Sequence, residues 1–392
     1  MNFKIKKMSS VEEAISKVGN ICLYAFLILT SYIFLYRYDH TMFILRYVFL
    51  IGGALTGYVK CLIGRQKFNY PILFLASMAL LWLMTTLGQE TYQNYSASDF
   101  LYTACYIGIA VLILNNEYSH IISLILYGFT SISILLRVFQ GIDKNLILLA
   151  NSRNYISILL LSTLLLYYIS CNDKKKPILV TPILIYFYIS IYATGRSGII
   201  VSGFMAVSLL VYKYTRMVNK KSKVLMGFLI AFVLLTMGFY LLQLNGSIIE
   251  SFLKRNFVAF FQRGTDSNGR NEIWGTFIQN NKNSLEALLF GSNTFLAMTD
   301  GNLHNSFLQI YASFGVFGFI TLIALLIRAL FVGIQKKQYL WLIFFCGLML
   351  RALTDRVFFQ GYCELYLYYF IFYFAYQRKN EINPRIGDNY VR

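Results

Sequence analysis

Only three histidines, His40, His120 and His304, occur in the 392-residue chain. His40 and His120 stand at the ends of apolar runs and read as interfacial residues. His304 lies in Gly301-Asn302-Leu303-His304-Asn305-Ser306-Phe307-Leu308, where a long polar stretch meets an apolar run. Imidazole is the usual general base near neutral pH. A loop histidine is more often merely solvated, so His304 gains weight only from its company. That company is basic. The polar stretch carries Lys254, Arg255, Arg263, Arg270 and Lys282, and Arg196 sits in the short turn Ala193-Thr194-Gly195-Arg196-Ser197-Gly198. Arg351 and Arg356 flank the end of a later apolar run. A guanidinium stays charged in nearly any environment and grips phosphate with a planar fork of donors. The plainer reading of these arginines is contact with lipid headgroups, or pairing with acids such as Asp355 and Glu364.

Other chemistries lack their residues. No GxxxxGK[ST] loop offers an ATP site, and no HExxH or His/Cys cluster offers a zinc site. The acids Asp39, Glu90, Asp143, Glu250, Asp266, Glu272, Glu286, Asp300 and Asp355 are dispersed, with no DxD pair to hold a divalent metal against phosphate. No metal ligand is expected. The residues present suit a phosphate held by arginines beside one proton acceptor.

These side chains must be positioned by membrane helices. Hydrophobic residues make up 57% of the chain and charged residues 13%, about half the charged share of an ordinary soluble domain. The apolar residues come in continuous blocks of roughly 20, which read as helical spans rather than the alternating strands of a barrel. The expected fold is all-α and polytopic, with about twelve spans near 20–36, 41–59, 70–88, 98–114, 119–137, 155–171, 177–193, 196–212, 223–244, 314–334, 339–355 and 361–377.

Alternate connections are basic: Lys4, Lys6, Lys7 and Lys17; Lys60, Arg65 and Lys67; Lys174, Lys175 and Lys176; Lys213, Arg216, Lys220, Lys221 and Lys223; Lys336 and Lys337; then the tail. Together they hold well over half of the 35 Lys and Arg. That asymmetry predicts both termini in the cytoplasm. It also accounts for most of the net charge of +18, so nucleic acid is not an expected partner. The connection Asn115–Tyr118 is the exception, assigned inside without a Lys or Arg. Arg46 and Arg328 fall within spans.

Three regions follow: spans one to nine in 1–244, a large extracytoplasmic loop in 245–313, and spans ten to twelve with a short tail in 314–392. A loop of that length rarely persists without a use. The six cysteines lie in or beside apolar runs without ligand spacing, so no disulfide is inferred. The N-terminus shows no cleavage-site pattern and leads into a first span.

One segment carries a family signature. Gly269-Arg270, Trp274, Leu289-Phe290-Gly291, His304-Asn305, Leu308, Gly315 and Gly318 resemble the O-antigen polymerase and ligase superfamily of bacterial polysaccharide assembly. That family shows an Arg shortly before a Trp, a P-L-x-G-x-G turn, and H-N-x-x-L followed by G-x-x-G. Here the proline of the turn is absent, and Ser292-Asn293 stand where a second glycine is common. Thr194-Gly195-Arg196-Ser197-Gly198 matches the family's outer arginine followed by small residues. The motif-bearing part spans about a third of the chain.

The resemblance implies a multi-pass protein of the bacterial inner (cytoplasmic) membrane. It implies a glycosyltransferase that takes an undecaprenyl-pyrophosphate-linked oligosaccharide as donor on the outer face, with no metal, nucleotide sugar or other cofactor. His304 would be the base, Arg196 and Arg270 would hold the pyrophosphate, and Arg263 and Arg255 would assist. A chain-length regulator protein is an expected partner, together with the lipid bilayer. Direct displacement assisted by one base would invert the anomeric centre. Polymerisation of O-antigen or capsule repeats is the first reading. The alternative within the family is an O-antigen ligase, which uses the same groups to move glycan onto lipid A-core. A repeat-unit flippase is the alternative of another class, and a structural membrane subunit a third. A flippase predicts related halves and mid-span ionisable residues, and no half-to-half repeat is evident. Phe257, Phe260, Phe261 and Tyr311 are candidates for stacking on sugars or flanking the polyprenyl chain.

Overall fold

A computed structural model describes residues 10–36, 39–63, 69–87, 97–143, 145–149, 153–173, 176–193, 196–217, 220–243, 274–275, 277–279, 285–291, 303–358 and 361–377. Among them every regular element is helical, as expected for an all-α chain. The helices are α1 (Ser10–Leu35), α2 (His40–Ile63), α3 (Asn69–Leu87), α4 (Ala97–Asn115), α5 (His120–Phe139), α6 (Asn154–Asp173), α7 (Thr181–Tyr192), α8 (Arg196–Arg216), α9 (Lys220–Gln243), α10 (Leu285–Phe290), α11 (Ser306–Gln335), α12 (Tyr339–Thr354) and α13 (Glu364–Gln377).

Seven of them, α1, α2, α4, α5, α6, α8 and α11, are long and apolar enough to cross a membrane. The chain is a multi-pass membrane protein whose surroundings are a lipid bilayer. Helices α7 and α12 are apolar but only 12 and 16 residues long. Helix α7 starts four residues after the expected span because Lys176–Leu179 is not helical and Pro182 lies in the first turn, where a missing N–H costs nothing. Helix α1 begins ten residues early, with Glu13 and Lys17 paired across one turn at 2.8 Å.

Side-chain pairs fix the directions. Tyr47 meets Tyr102, and Tyr58 donates to the Ala104 carbonyl, so α2 and α4 run parallel. Phe26 meets Tyr106, and Gly19 abuts Leu112, so α1 runs against α4. Tyr155 meets Tyr362, and Tyr366 donates to the Ser162 carbonyl, so α6 and α13 are parallel. Helix α12 opposes α6, with Phe344 stacked on Tyr168 and Arg351 reaching Asn154. Backbone contact tightens the α2–α4 pair. A Cβ at Gly57 would overlap the Gly108 carbonyl, the close approach that small residues permit between membrane helices. Helix α6 is apolar on all faces and is surrounded, with nearly all of its length buried.

Several polar groups inside the bundle find partners locally. Lys60, at the end of α2, donates to the Asn115 carbonyl at 3.0 Å and to the Asn116 side chain. Asn116 in turn donates to Asn20 and to the Ser16 carbonyl. Thus the Asn115–Tyr118 connection, which has no cation of its own, receives one from its neighbour. Arg46 packs its guanidinium on Phe43 and Tyr47 at 4.7 and 4.6 Å and donates to the Tyr47 hydroxyl. Buried Glu364 accepts from Thr103 and Tyr368 at 3.0 and 2.9 Å.

Candidate functional site

His304 is held from both sides along the chain. Before it, the Leu303 carbonyl accepts the Trp274 indole N–H at 2.8 Å, and the Leu303 amide lies 3.4 Å from the Gln309 side-chain oxygen. After it, Asn305 is the N-cap of α11, its side-chain oxygen accepting from the amides of Phe307 and Leu308 at 2.9 and 3.2 Å. The cap fills donors that every helix start leaves open. His304 itself has φ +50°, a conformation that non-glycine residues adopt only under constraint.

The imidazole faces a buried acid. Its Nδ1 lies 3.5 Å from Asp355 Oδ1, and the other carboxylate oxygen lies 3.2 Å from Arg351 Nη2. Arg351 and Asp355 are 0% and 1% exposed, whereas the His304 side chain is 35% exposed. A buried ion pair is tolerable only when its remaining donors and acceptors are met, and here they largely are. Arg351 donates through Nη1 to the Ser197 hydroxyl and through Nη2 to the Asn154 carbonyl at 2.8 Å. The Arg356 amide donates to Asp355 Oδ1 at 3.2 Å. Ser306 completes the knot. Its hydroxyl donates to the Asp355 carbonyl at 2.8 Å and accepts from the amides of Val357 and Phe358. The starts of α6, α8 and α11 and the end of α12 thus meet around one carboxylate.

A second contact sets the angle of the histidine-bearing helix end. Helix α11 is kinked at Gly315, where φ is +62°, so Ser306–Phe314 leans away from the rest. Helix α10 ends in that kink. A Cβ on Gly315 would overlap the Leu289 carbonyl, and one on Gly291 (φ +91°) would overlap the Ala312 carbonyl. Both glycines are required by left-handed backbone and by space. Phe277, Leu303 and Ala312 form a small core beneath His304, with Leu308 and Tyr311 packed against it. Tyr311, a candidate for sugar stacking, is engaged edge-on with Phe277 and Phe319.

Of the residues expected at the site, His304 stands at its centre. Arg196 opens α8, one residue before Ser197. Its side chain, and all of Arg255, Arg263, Arg270, Phe257, Phe260 and Phe261, lie outside the described residues. Arg351 takes the plainer of its two readings and pairs with Asp355. The approach of Asp355 to His304 is not legible in the sequence. The i, i+4 spacing of Arg351 and Asp355 on one helix face could have revealed their pairing, but nothing in a contact across 51 positions could. Among the described residues no three His, Cys, Asp or Glu side chains gather to hold a metal.

The arrangement can move a proton. A carboxylate against Nδ1 favours the tautomer with its proton there, which makes Nε2 the acceptor nitrogen. The 3.5 Å separation is long for a hydrogen bond, as such contacts often are before substrate binds. Comparison with family models, with curated proteins and with solved structures finds no match in any of the three. The functional reading therefore rests on the residues themselves.

Proposed function

We propose that this protein is a glycosyltransferase that polymerises lipid-linked oligosaccharide repeats. The observation that carries the reading is the His304–Asp355–Arg351 cluster, in which the histidine of the segment resembling the O-antigen polymerase and ligase superfamily meets a buried ion pair from a later helix. Several motif residues in the described part have a physical task there. Trp274 anchors the carbonyl before His304, Asn305 caps the helix after it, and Gly291 and Gly315 let α10 dock into the kink.

In this mechanism His304 Nε2 takes the proton from an acceptor sugar hydroxyl as that oxygen attacks the anomeric carbon of the donor. The bond from that carbon to the pyrophosphate oxygen breaks, and the polyprenyl pyrophosphate leaves with the electron pair. Its charge is met by arginines, with Arg196 and Arg270 the first choices and Arg263 and Arg255 the next. Asp355 keeps the imidazole in the useful tautomer and stabilises the imidazolium that forms, while Arg351 balances the carboxylate. Attack from the face opposite the leaving group gives an inverted linkage. A product retaining the donor configuration by NMR would sink direct displacement.

The same reading assigns twelve spans, both termini in the cytoplasm, and 245–313 outside, in a bacterial inner membrane. The alternating helix directions support it. So does the basic end of α2, α8 and α11, opposite the end that carries His304.

The test is a surface-polysaccharide gel on a deletion strain carrying wild-type protein or His304→Ala, with expression checked by blot. Polymerase chemistry predicts single repeats on the core in the deletion and no ladder with His304→Ala. Polymer accumulating on the lipid carrier, with a bare core, would favour the ligase. A full ladder from His304→Ala at equal expression would remove the base from the mechanism.

A further inference from the structure

Arg328 lies within the most apolar of the long helices, α11, two turns before its end at Gln335. It makes no hydrogen bond or ion pair with any described residue, whereas Arg46 and Arg351 do through their terminal nitrogens; its Nε, like theirs, is buried without a partner. It lines a cavity of about 50 Å³ between α3, α11 and α13, with Phe74, Leu325, Ala329, Phe372 and Ala375 as apolar walls. A guanidinium inside a span is costly unless it meets an anion or water. The cavity is too small for a sugar or a drug-sized ligand but has room for one compact group.

The depth of the site selects that group. Two turns of helix are about 10 Å, a distance an arginine side chain largely spans when it extends toward headgroups. The same end of the bundle carries Lys336 and Lys337 just beyond α11, and Lys213 and Arg216 in the last turn of α8. Basic residues at one membrane face draw anionic lipid to that leaflet. We propose that Arg328 and this cavity bind the headgroup phosphate of one anionic phospholipid from the leaflet at the Gln335 end, its acyl chains lying along the exposed apolar side chains of α3 and α11, among them Leu73, Leu80, Ile327 and Phe331.

The test uses the full chain in nanodiscs of phosphatidylcholine with about 20% phosphatidylglycerol, an anionic fraction chosen to mimic a charged leaflet. Native mass spectrometry after release into mild detergent counts the retained lipid. Wild type is expected to keep one phosphatidylglycerol. Arg328→Gln is expected to lose it about tenfold more readily, and Arg328→Lys to keep it. Ala375→Phe, which fills the cavity and leaves the arginine in place, is expected to lose it too. Were Arg328→Gln to fail to fold, Ala375→Phe and Arg328→Lys would still decide the matter. Equal retention by wild type and Ala375→Phe, or equal retention of phosphatidylcholine, would overturn the site. Displacement by millimolar glycerol phosphate would show that it takes free phosphate instead of lipid.

Discussion

Asp355 and Arg351 separate stability from chemistry at the level of single residues. Removing one partner of a buried pair strands the other, at about 3–5 kcal/mol. Asp355→Asn is therefore expected to lower the melting temperature in detergent. Loss of the carboxylate should also cut transfer by about 10²–10⁴-fold if it orients a general base. The double variant Arg351→Met with Asp355→Asn is expected to regain much of the stability and none of the activity. Recovery of both together would make the cluster structural. Asn305→Ala removes a cap worth about 1 kcal/mol, and Asn305→Asp keeps it. A ladder lost with alanine and restored with aspartate would tie the position of His304 to the cap. The His304–Asn305 dipeptide was legible as a motif in the sequence, yet the division of labour within it was not, because capping is a property of backbone geometry.

Among the elements, the kink in α11 carries the most weight. The expected span began at 314, and the regular apolar helix does resume just beyond Gly315. The preceding turns fall in the expected loop, and Ser306, Gln309 and Ser313 interrupt the apolar run there. Those residues are polar yet buried, since they face the site instead of lipid, and hydropathy cannot tell a buried polar face from an exposed one. Gly315→Ala and Gly291→Ala each place a side chain in left-handed backbone, costing about 1–3 kcal/mol before any clash with the facing carbonyl. Each is expected to abolish the ladder while the protein still inserts, as read by gel and membrane blot. An unchanged ladder would mean that α10 does not set the angle of the His304 turn.

For the whole molecule, the seven long apolar helices are legible in the sequence because a bilayer permits few backbone solutions. The helix–helix register is not, since it depends on contacts such as Gly57 on Gly108 and Lys60 on Asn116 that join distant positions. A cysteine at Asn145, between α5 and α6, is expected to react with a membrane-impermeant maleimide in intact cells. One at Lys176, between α6 and α7, should react only after permeabilisation. The reverse pattern would invert the topology and put His304 on the cytoplasmic side.

The Ser306 knot has a consequence for biosynthesis. The carboxylate that serves His304 arrives 51 residues later, and it is seated by groups from α6 and α8 that were made long before. While the ribosome is still adding the final helices, the earlier ones can already be in the bilayer, yet the imidazole has no acid beside it. On the proposed mechanism, proton transfer at His304 must await insertion of nearly the whole chain, so a truncated product is expected to be inert rather than unregulated.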